Sequence, residues 1–424
     1  MISGNTTRRL VKKSFFFMEQ YKKALFIVQT LQNAGHIAYF AGGWVRDYLL
    51  HTPSDDIDIA TSATPDVVKS LFPKTIPIGI AFGIQLVVIE SHSFEVATFR
   101  KESDYQDGRH PSHIEFSDAK QDALRRDFTI NGMFFDPVKE EVLDFVEGKK
   151  DLEKKILRAI GDPSLRFHED RLRMVRAARL STRFGFSIEK NTKEAIERLA
   201  HELFPAVAVE RVWAELVKMD LFPHLKEGLL SLFTLGLLSA IFPILKDLLK
   251  TEIEKRLTLL DQFPKVAPLI AKILELFPSY SLDEKIALCQ FFKLSKNETH
   301  FVLILDKAKQ LVENKSSLQQ WAHFYAIEES SLALDIYSLH LSAKEKTLFL
   351  SQNAERKKTL SKAILRLQKK DPVLKSEFLK ELGVLPGKKM GLLLQEAEKI
   401  AIEENLEDPR QVFEKLKKTA LWSL

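Results

Sequence analysis

The sequence predicts an α/β head followed by an all-α remainder, and three observations carry that reading. Between residue 37 and about residue 146, short β-type runs such as Gln85-Leu86-Val87-Val88-Ile89 and Phe94-Glu95-Val96-Ala97-Thr98 alternate with helical patches and glycine turns. From about Asp151 onward helical periodicity continues almost without relief, with residues 153–157 and 171–184 reading as amphipathic helices. At 424 residues the chain also exceeds what one core usually organises, so several packed modules are expected. The texture divides into an N-terminal extension (1–18), a head (19–157), a helical neck (158–260), a helical body (261–350) and a helical tail (351–424). No fixed-period repeat of solenoid type is visible.

Composition narrows the class. Hydrophobic content of 45% and charged content of 29% are those of an ordinary globular protein, which excludes global disorder. A formal charge of +5 permits a polyanionic partner without requiring one. The single cysteine, Cys289, excludes an intramolecular disulfide and fits a reducing cytoplasm. In the run Ile286-Ala287-Leu288-Cys289 it reads as a small buried hydrophobe. Basic residues before Phe15-Phe16-Phe17-Met18 imitate a signal peptide, but the apolar stretch is too short and Glu19 interrupts it. Met18 is an alternative start, which would make the preceding residues an unstructured extension. The nearly uncharged run 228–245 has the length of a membrane span, yet Gly236, Ser239 and Pro243 break it into two expected short buried helices. A soluble protein is expected.

The chemistry concentrates in Ala41-Gly42-Gly43-Trp44-Val45-Arg46-Asp47 and Asp55-Asp56-Ile57-Asp58-Ile59. Residues 37–41 read as a strand and 44–50 as a helix, so Gly42 and Gly43 fall at a strand-to-helix turn. There, backbone amides can approach a phosphate, and Arg46 adds a bidentate contact. In a strand, Asp56 and Asp58 share one face while Ile57 and Ile59 face the core; Asp55 points the other way and reads as a turn residue. Two converging carboxylates repel unless a cation lies between them, and hard oxygen donors of this kind suit Mg²⁺ shared with substrate phosphates. Glu95 is a candidate third ligand. A solvated acidic strand end is the plain alternative for the pair.

These motifs, with Arg125-Arg126-Asp127-Phe128-Thr129-Ile130-Asn131 and Glu169-Asp170-x-x-Arg173, resemble the tRNA nucleotidyltransferase and bacterial poly(A) polymerase group over roughly residues 37–186. The resemblance implies a polymerase-β-like nucleotidyltransferase head, with Gly42, Gly43 and Arg46 on the incoming nucleotide and Asp56 and Asp58 on its metal. It also implies that Arg126 and Asp127 lie near the nucleotide, Asp127 as a candidate for sensing the ribose hydroxyl. His51 departs from the pattern, because members of the group usually carry glycine after the paired leucines.

Asp170, Arg173 and Arg176 recur every three residues and, on a helix, share one face. An aspartate accepting from an exocyclic amine beside an arginine donating to a ring nitrogen suits cytosine and adenine alike. Uracil and guanine would leave buried groups unpaired, at about 1–3 kcal/mol each. Glu169 belongs to the same motif, and Arg176 and Arg179 are expected to support the triphosphate. A salt-bridged amphipathic helix is the alternative for this segment.

Two features favour CCA addition within the group. Residues 100–111 resemble the flexible loop that lets one site switch from C to A, and residues 382–391 resemble a turn-and-helix element of CCA-adding tails. Poly(A) polymerases, CC- or A-adding specialists and a catalytically silent RNA-binding protein are the alternatives. The expected partners are a tRNA 3′ end, CTP and ATP, with Mg²⁺. Arg356-Lys357-Lys358 and Lys369-Lys370 fit either a path along the tRNA backbone or solvated helix faces. No His-Glu-x-x-His or adjacent His-Asp pair occurs, so no zinc site is expected.

Overall fold

Apolar residues at positions 24, 27, 28 and 31 fall on one helical stripe, and the structure buries all four completely. A computed structural model describes residues 3–54, 56–79, 83–105, 111–314 and 316–423. The chain forms two compact units, Met1–Lys250 and Thr251–Leu424.

The first unit opens with helix α1 (Ser3–Asn33), which carries that stripe. The helical backbone thus extends upstream of Met18, where an unstructured extension was expected. No proline and only Gly4 lie in this stretch, so nothing in the sequence interrupts it. Strand β1 (Ala38–Ala41), helix α2 (Gly43–Leu49), β2 (Asp58–Thr61), α3 (Pro65–Leu71), β3 (Thr75–Gly79), β4 (Ile84–Ile89) and β5 (His92–Thr98) follow. After β6 (Arg100–Tyr105), β7 (Pro111–Phe116) and α4 (Ala119–Leu124) come β8 (Phe134–Asp136) and β9 (Glu141–Leu143). The seven-stranded sheet has the order β3-β4-β5-β2-β1-β8-β9. Only β2 and β5 run parallel, with Ile59 opposite Val96. Helix α1 packs against β1, β2 and β5, and Phe40, Ile59 and Phe99 are buried in this part of the core.

The segment expected as a flexible loop at 100–111 is largely a hairpin: β6 and β7 pair antiparallel with Lys101 opposite Glu115. Residues 106–110 of that expected loop, and Asp55 of the expected turn, lie outside the described residues. A second difference concerns residues 153–157. Helix α5 (Gly148–Glu153) stops at Glu153, Lys155 turns the chain at φ 54, and Ile156 and Leu157 form β10 (Ile156–Leu157) instead of continuing the helix. The β-branched Ile156 and its strand partner β11 (Ser187–Ile188) override the helical periodicity there.

His51 adopts φ 53 directly after the C-cap of α2. The left-handed region costs an L-residue energy that glycine does not incur, which accounts for the glycine usual in related sequences. His51→Gly is expected to leave activity unchanged and to stabilise the fold by up to about 1 kcal/mol, read as a rise in denaturation midpoint. A lower midpoint would refute strain at this turn.

Helices α6 (Pro163–Glu169), α7 (Leu172–Phe184), α8 (Lys190–Leu199), the short α9 (Leu203–Ala206) and α10 (Val209–Asp220) complete the site-bearing part of this unit. The run 228–245 is divided as expected: helices Leu225–Thr234 and Leu237–Ile241 meet at Gly236, which turns at φ 74. Among the described residues no helix is long and apolar enough to cross a membrane.

The second unit is helical throughout its described residues. Four helices begin at capping boxes, Ser281 with Glu284, Ser295 with Glu298, Ser317 with Gln320 and Ser342 with Glu345. One core gathers Trp321, Phe324, Tyr325 and Leu334, and another gathers Leu379, Leu393, Val412 and Leu416. Cys289 is buried. The tail element is a turn through Gly383 (φ 83) and Gly387 (φ 152) into helix Lys388–Glu403.

Candidate active site

The sheet brings the two glycines and the acidic pair side by side, because Ala41 of β1 lies opposite Asp58 of β2. Gly42 turns at φ 69, and a Cβ there would stand 3.0 Å from Arg126 Nη1. The backbone conformation favours glycine at 42, and a Cβ there would also oblige the end of the Arg126 side chain to shift. The strand register holds only in part. Ile57 and Ile59 are buried as expected, but β2 begins at Asp58, so the exposed Asp56 sits on the approach to the strand rather than within it.

Asp58 is partly buried, and burial raises its carboxyl to about pKa 7, helped by the negative charges of Asp56 and then Glu95 and opposed by Arg126. Glu95, on β5, is thus close enough to act electrostatically, although its side chain is exposed. No group of three His, Cys, Asp or Glu side chains among the described residues closes on a common point. Asp56 and Asp58 are the neighbouring carboxylates here that could hold a metal.

A cavity of about 570 Å³ adjoins the carboxylates. It is lined by Gly42, Gly43, Arg46, Asp56, Asp58, Arg126, Asp127, Asp170, Arg173, Arg176 and Arg179, so all the expected site residues except Glu169 and the candidate ligand Glu95 reach it. Glu169 stands behind Arg173, whose Nη1 donates to its Oε2 at 2.7 Å. Nearly every cation here is already held by a carboxylate. Arg46 is buried, donates through Nε and Nη2 to Asp47 Oδ1 (2.8 and 2.7 Å) and lies over the Phe184 ring. Arg125 and Arg126 share Asp122 at 2.6 and 3.0 Å. Burial alone would raise the Asp122 carboxyl, but the two guanidiniums, Arg126 foremost, hold it below the ordinary range.

Asp127 is largely buried, its side chain 11% exposed. Its Oδ1 accepts from Phe128 N (2.8 Å) and Asn131 Nδ2 (3.1 Å), and its Oδ2 accepts from Arg176 Nε and Nη2 (2.9 and 2.6 Å). Burial pushes this carboxyl up, yet Arg176 and the bonds from Arg176 and Asn131 outweigh it and bring it down to about 2. All four lone-pair sites are occupied, so a ribose hydroxyl would have to displace one of these donors.

The segment 169–176 folds differently from the expected single helical face. Asp170 caps the junction between α6 and α7 with extended backbone (φ −150, ψ 103), and its carboxylate accepts from Leu172 N at 3.1 Å. The local bond to the backbone competes with helix continuation, which is why Asp170 leaves the helix that Arg173 and Arg176 share. Asp170 is paired with Arg211 of α10 (3.2 and 2.8 Å), and Arg173 with Glu169 and the Arg125 carbonyl. Arg179 is held by buried Glu215 of α10 at 2.6 Å.

The model of a poly A polymerase head domain matches residues 38–158, and that of a probable RNA- and SrmB-binding site of polymerase A matches residues 185–249. A CCA-adding enzyme of Ligilactobacillus salivarius is 33% identical over 419 residues, covering 93% of this chain and 95% of the relative. The chain belongs to the CCA-adding enzyme family. The CCA-adding enzyme of Pediococcus pentosaceus is 34% identical over 400 residues (92% and 96% of the two chains). That of Anoxybacillus flavithermus is 45% identical over 212 residues, about half of each chain. The crystal structure of the Bacillus stearothermophilus CCA-adding enzyme with CTP superposes with a TM-score of 0.76 at 24% identity, covering 94% of this chain and 97% of that one. The fold is thus the expected nucleotidyltransferase head with a helical remainder.

In this CCA-adding enzyme the partners of the motif residues are what the sequence reading missed. Asp122 lies three and four residues before the arginines it holds, a helical spacing that was available. Arg211 and Glu215 sit one turn apart on α10, and Glu215, only 2% exposed, interrupts the apolar set Val212, Trp213 and Leu216. A buried acid on an apolar face was the usable signal. Nothing local tied it to arginines 36 residues away.

Proposed function

We propose that the protein completes tRNA by adding C, C and A to the 3′ end from CTP and ATP, releasing pyrophosphate, without a nucleic-acid template. The observation that carries this reading is the presence, in one cavity, of the Asp56–Asp58 pair and a prearranged Asp170 and Arg173. Asp170 is held by Arg211 and Leu172 N, which leaves one acceptor site on Oδ2 for an exocyclic amine. Arg173, anchored by Glu169, keeps unspent N–H donors for a ring nitrogen. The recognition surface is protein side chain throughout, so no template strand is needed for cytosine and adenine to be favoured.

Asp56 and Asp58 fit a divalent cation, because burial and then the neighbouring Asp56 charge raise the proton affinity of Asp58, and a cation would offset both. Mg²⁺ suits the all-oxygen donors; when bound, it supplies Lewis-acid stabilisation of phosphate charge and a more reactive acceptor hydroxyl. Gly42 and Gly43 allow close backbone approach to the phosphates, and Arg126, Arg176 and Arg179 surround the nucleotide with positive charge. The division of labour follows: residues 19–157 for catalysis, 158–260 for base selection, 261–350 as body and 351–424 for tRNA binding, in the cytoplasm.

Incubation with Mg²⁺ and a tRNA lacking its CCA should give stepwise C, C, A addition that then stops. Unlimited A addition would mark a poly(A) polymerase, and arrest after CC a specialist. Arg173→Ala is expected to lower kcat/KM for CTP and ATP by about 10–100-fold while narrowing their advantage over UTP and GTP. An unchanged base preference would remove Arg173 from base reading.

A further inference from the structure

Nine cations line the main cavity, and eight of them have a carboxylate oxygen within 3.3 Å. Arg183 is the exception. Its nearest carboxylate oxygen, on Asp47, is 3.6 Å away, and among the described residues it donates no hydrogen bond. The guanidinium is nevertheless fixed in place, facing the Phe184 ring at 4.7 Å and the Phe222 ring at 4.4 Å. It is a positioned cation whose donors are unspent.

Its location gives those donors a purpose. Arg173 and Arg183 stand near opposite ends of α7, ten residues and therefore about 15 Å apart along the axis, a span comparable to that of an extended nucleoside triphosphate. With the base at Arg173, the terminal phosphates fall toward Arg183. Arg183 also lines a second cavity of about 320 Å³, which shares Gly43, Arg46, Asp56 and Asp58 with the first and is lined further by Trp44, Pro53 and Ser54.

Resting on the base-reading assignment above, we propose that Arg183 binds the β- and γ-phosphates of the incoming nucleotide and then the departing pyrophosphate, which leaves through this second cavity. In the reaction the acceptor hydroxyl oxygen forms a bond to the α-phosphorus. The α–β bridging oxygen departs with the bonding pair as part of pyrophosphate, and the hydroxyl proton passes to solvent. The negative charge gathered on the leaving group meets the one cavity arginine that has no carboxylate oxygen within 3.3 Å. The loose contact to Asp47 is the one that gives way to it.

The test is calorimetric binding of pyrophosphate and, separately, of CMP to the full-length Mg²⁺-loaded protein, with steady-state kinetics alongside. Arg183→Ala should weaken pyrophosphate binding and raise KM for CTP and ATP together by about tenfold or more. CMP binding and the preference for C and A should stay unchanged, and Arg183→Lys should recover most of the loss. Pyrophosphate binding within twofold of wild type in Arg183→Ala would overturn the proposal. So would a parallel loss of CMP binding that Arg183→Lys does not rescue, since that marks a structural role. The base-reading assignment is tested apart from this, by base preference in Arg173→Ala; its failure leaves the pyrophosphate result intact.

Discussion

Asp56→Ala or Asp58→Ala is expected to lower kcat by about a thousandfold or more, while affinity for tRNA changes by less than about threefold. The carboxylates concentrate negative charge where the reaction needs a cation, and each variant removes half of the donor set. Filter binding of tRNA alongside single-turnover nucleotide addition separates the two effects. Near-normal addition by either variant would refute the metal assignment. The raised Asp58 carboxyl adds a pH signature. Its folded value, about 7, lies above the ordinary aspartate value. In the metal-free protein the stability tied to the protonated form is therefore present at low pH and is lost as pH rises through 7. A metal needs the deprotonated form, so apparent Mg²⁺ affinity should fall roughly tenfold per unit below pH 7 and level off above it. Asp58→Asn should abolish that slope in a titration of metal binding.

The largest loss of stability is expected at Asp127. Asp127→Ala leaves the half-buried Arg176 with only Glu215, at 3.7 Å, and strands the donors of Asn131 and Phe128. Breaking a fully buried pair from one side costs about 3–5 kcal/mol; solvent screening of the half-buried Arg176 lowers this to about 2–3 kcal/mol, so the melting temperature of the first unit should fall by roughly 5–10 °C. Asp127→Asn keeps the shape but loses the charge and should recover only part. The folded carboxyl, at about 2, lies below its ordinary value, so the stabilisation is present above about pH 4 and disappears as pH falls toward 2. A melting temperature within 2 °C of wild type at pH 7 would show that the pair is dispensable, and would return Asp127 to a role in ribose recognition alone.

How much was legible in the sequence follows the range of the interactions. Gly42-Gly43, Arg46 and the Asp56–Asp58 pair are adjacent in the chain, and residue type plus strand and helix geometry suffices to place them together. Asp170 and Arg173 were legible as a motif but not as a geometry. Aspartate can bond its own backbone two residues on, and periodicity alone cannot decide between helix and cap. Arg211, Glu215 and Arg183 were not read at all. Their roles depend on α10 lying across α7 and on which arginine is left without a close carboxylate, and both are properties of the folded unit. Residues 153–157 failed for a related reason, since five residues are too few for period to separate a helix from a strand with a partner 31 positions away.

The pairing of cavity cations with protein carboxylates also bears on ionic strength. An arginine that already has an internal counterion carries little condensed salt, so a nucleotide entering among such pairs displaces few solution ions. The exposed Lys358, Lys369 and Lys370 side chains have few such partners and keep their atmosphere of anions until a polyanion replaces it. Added salt should therefore separate the two substrates. Affinity for a long, many-phosphate ligand declines steeply, whereas the Michaelis constant for a nucleotide moves little, and the residual slope for the nucleotide belongs mainly to Arg183.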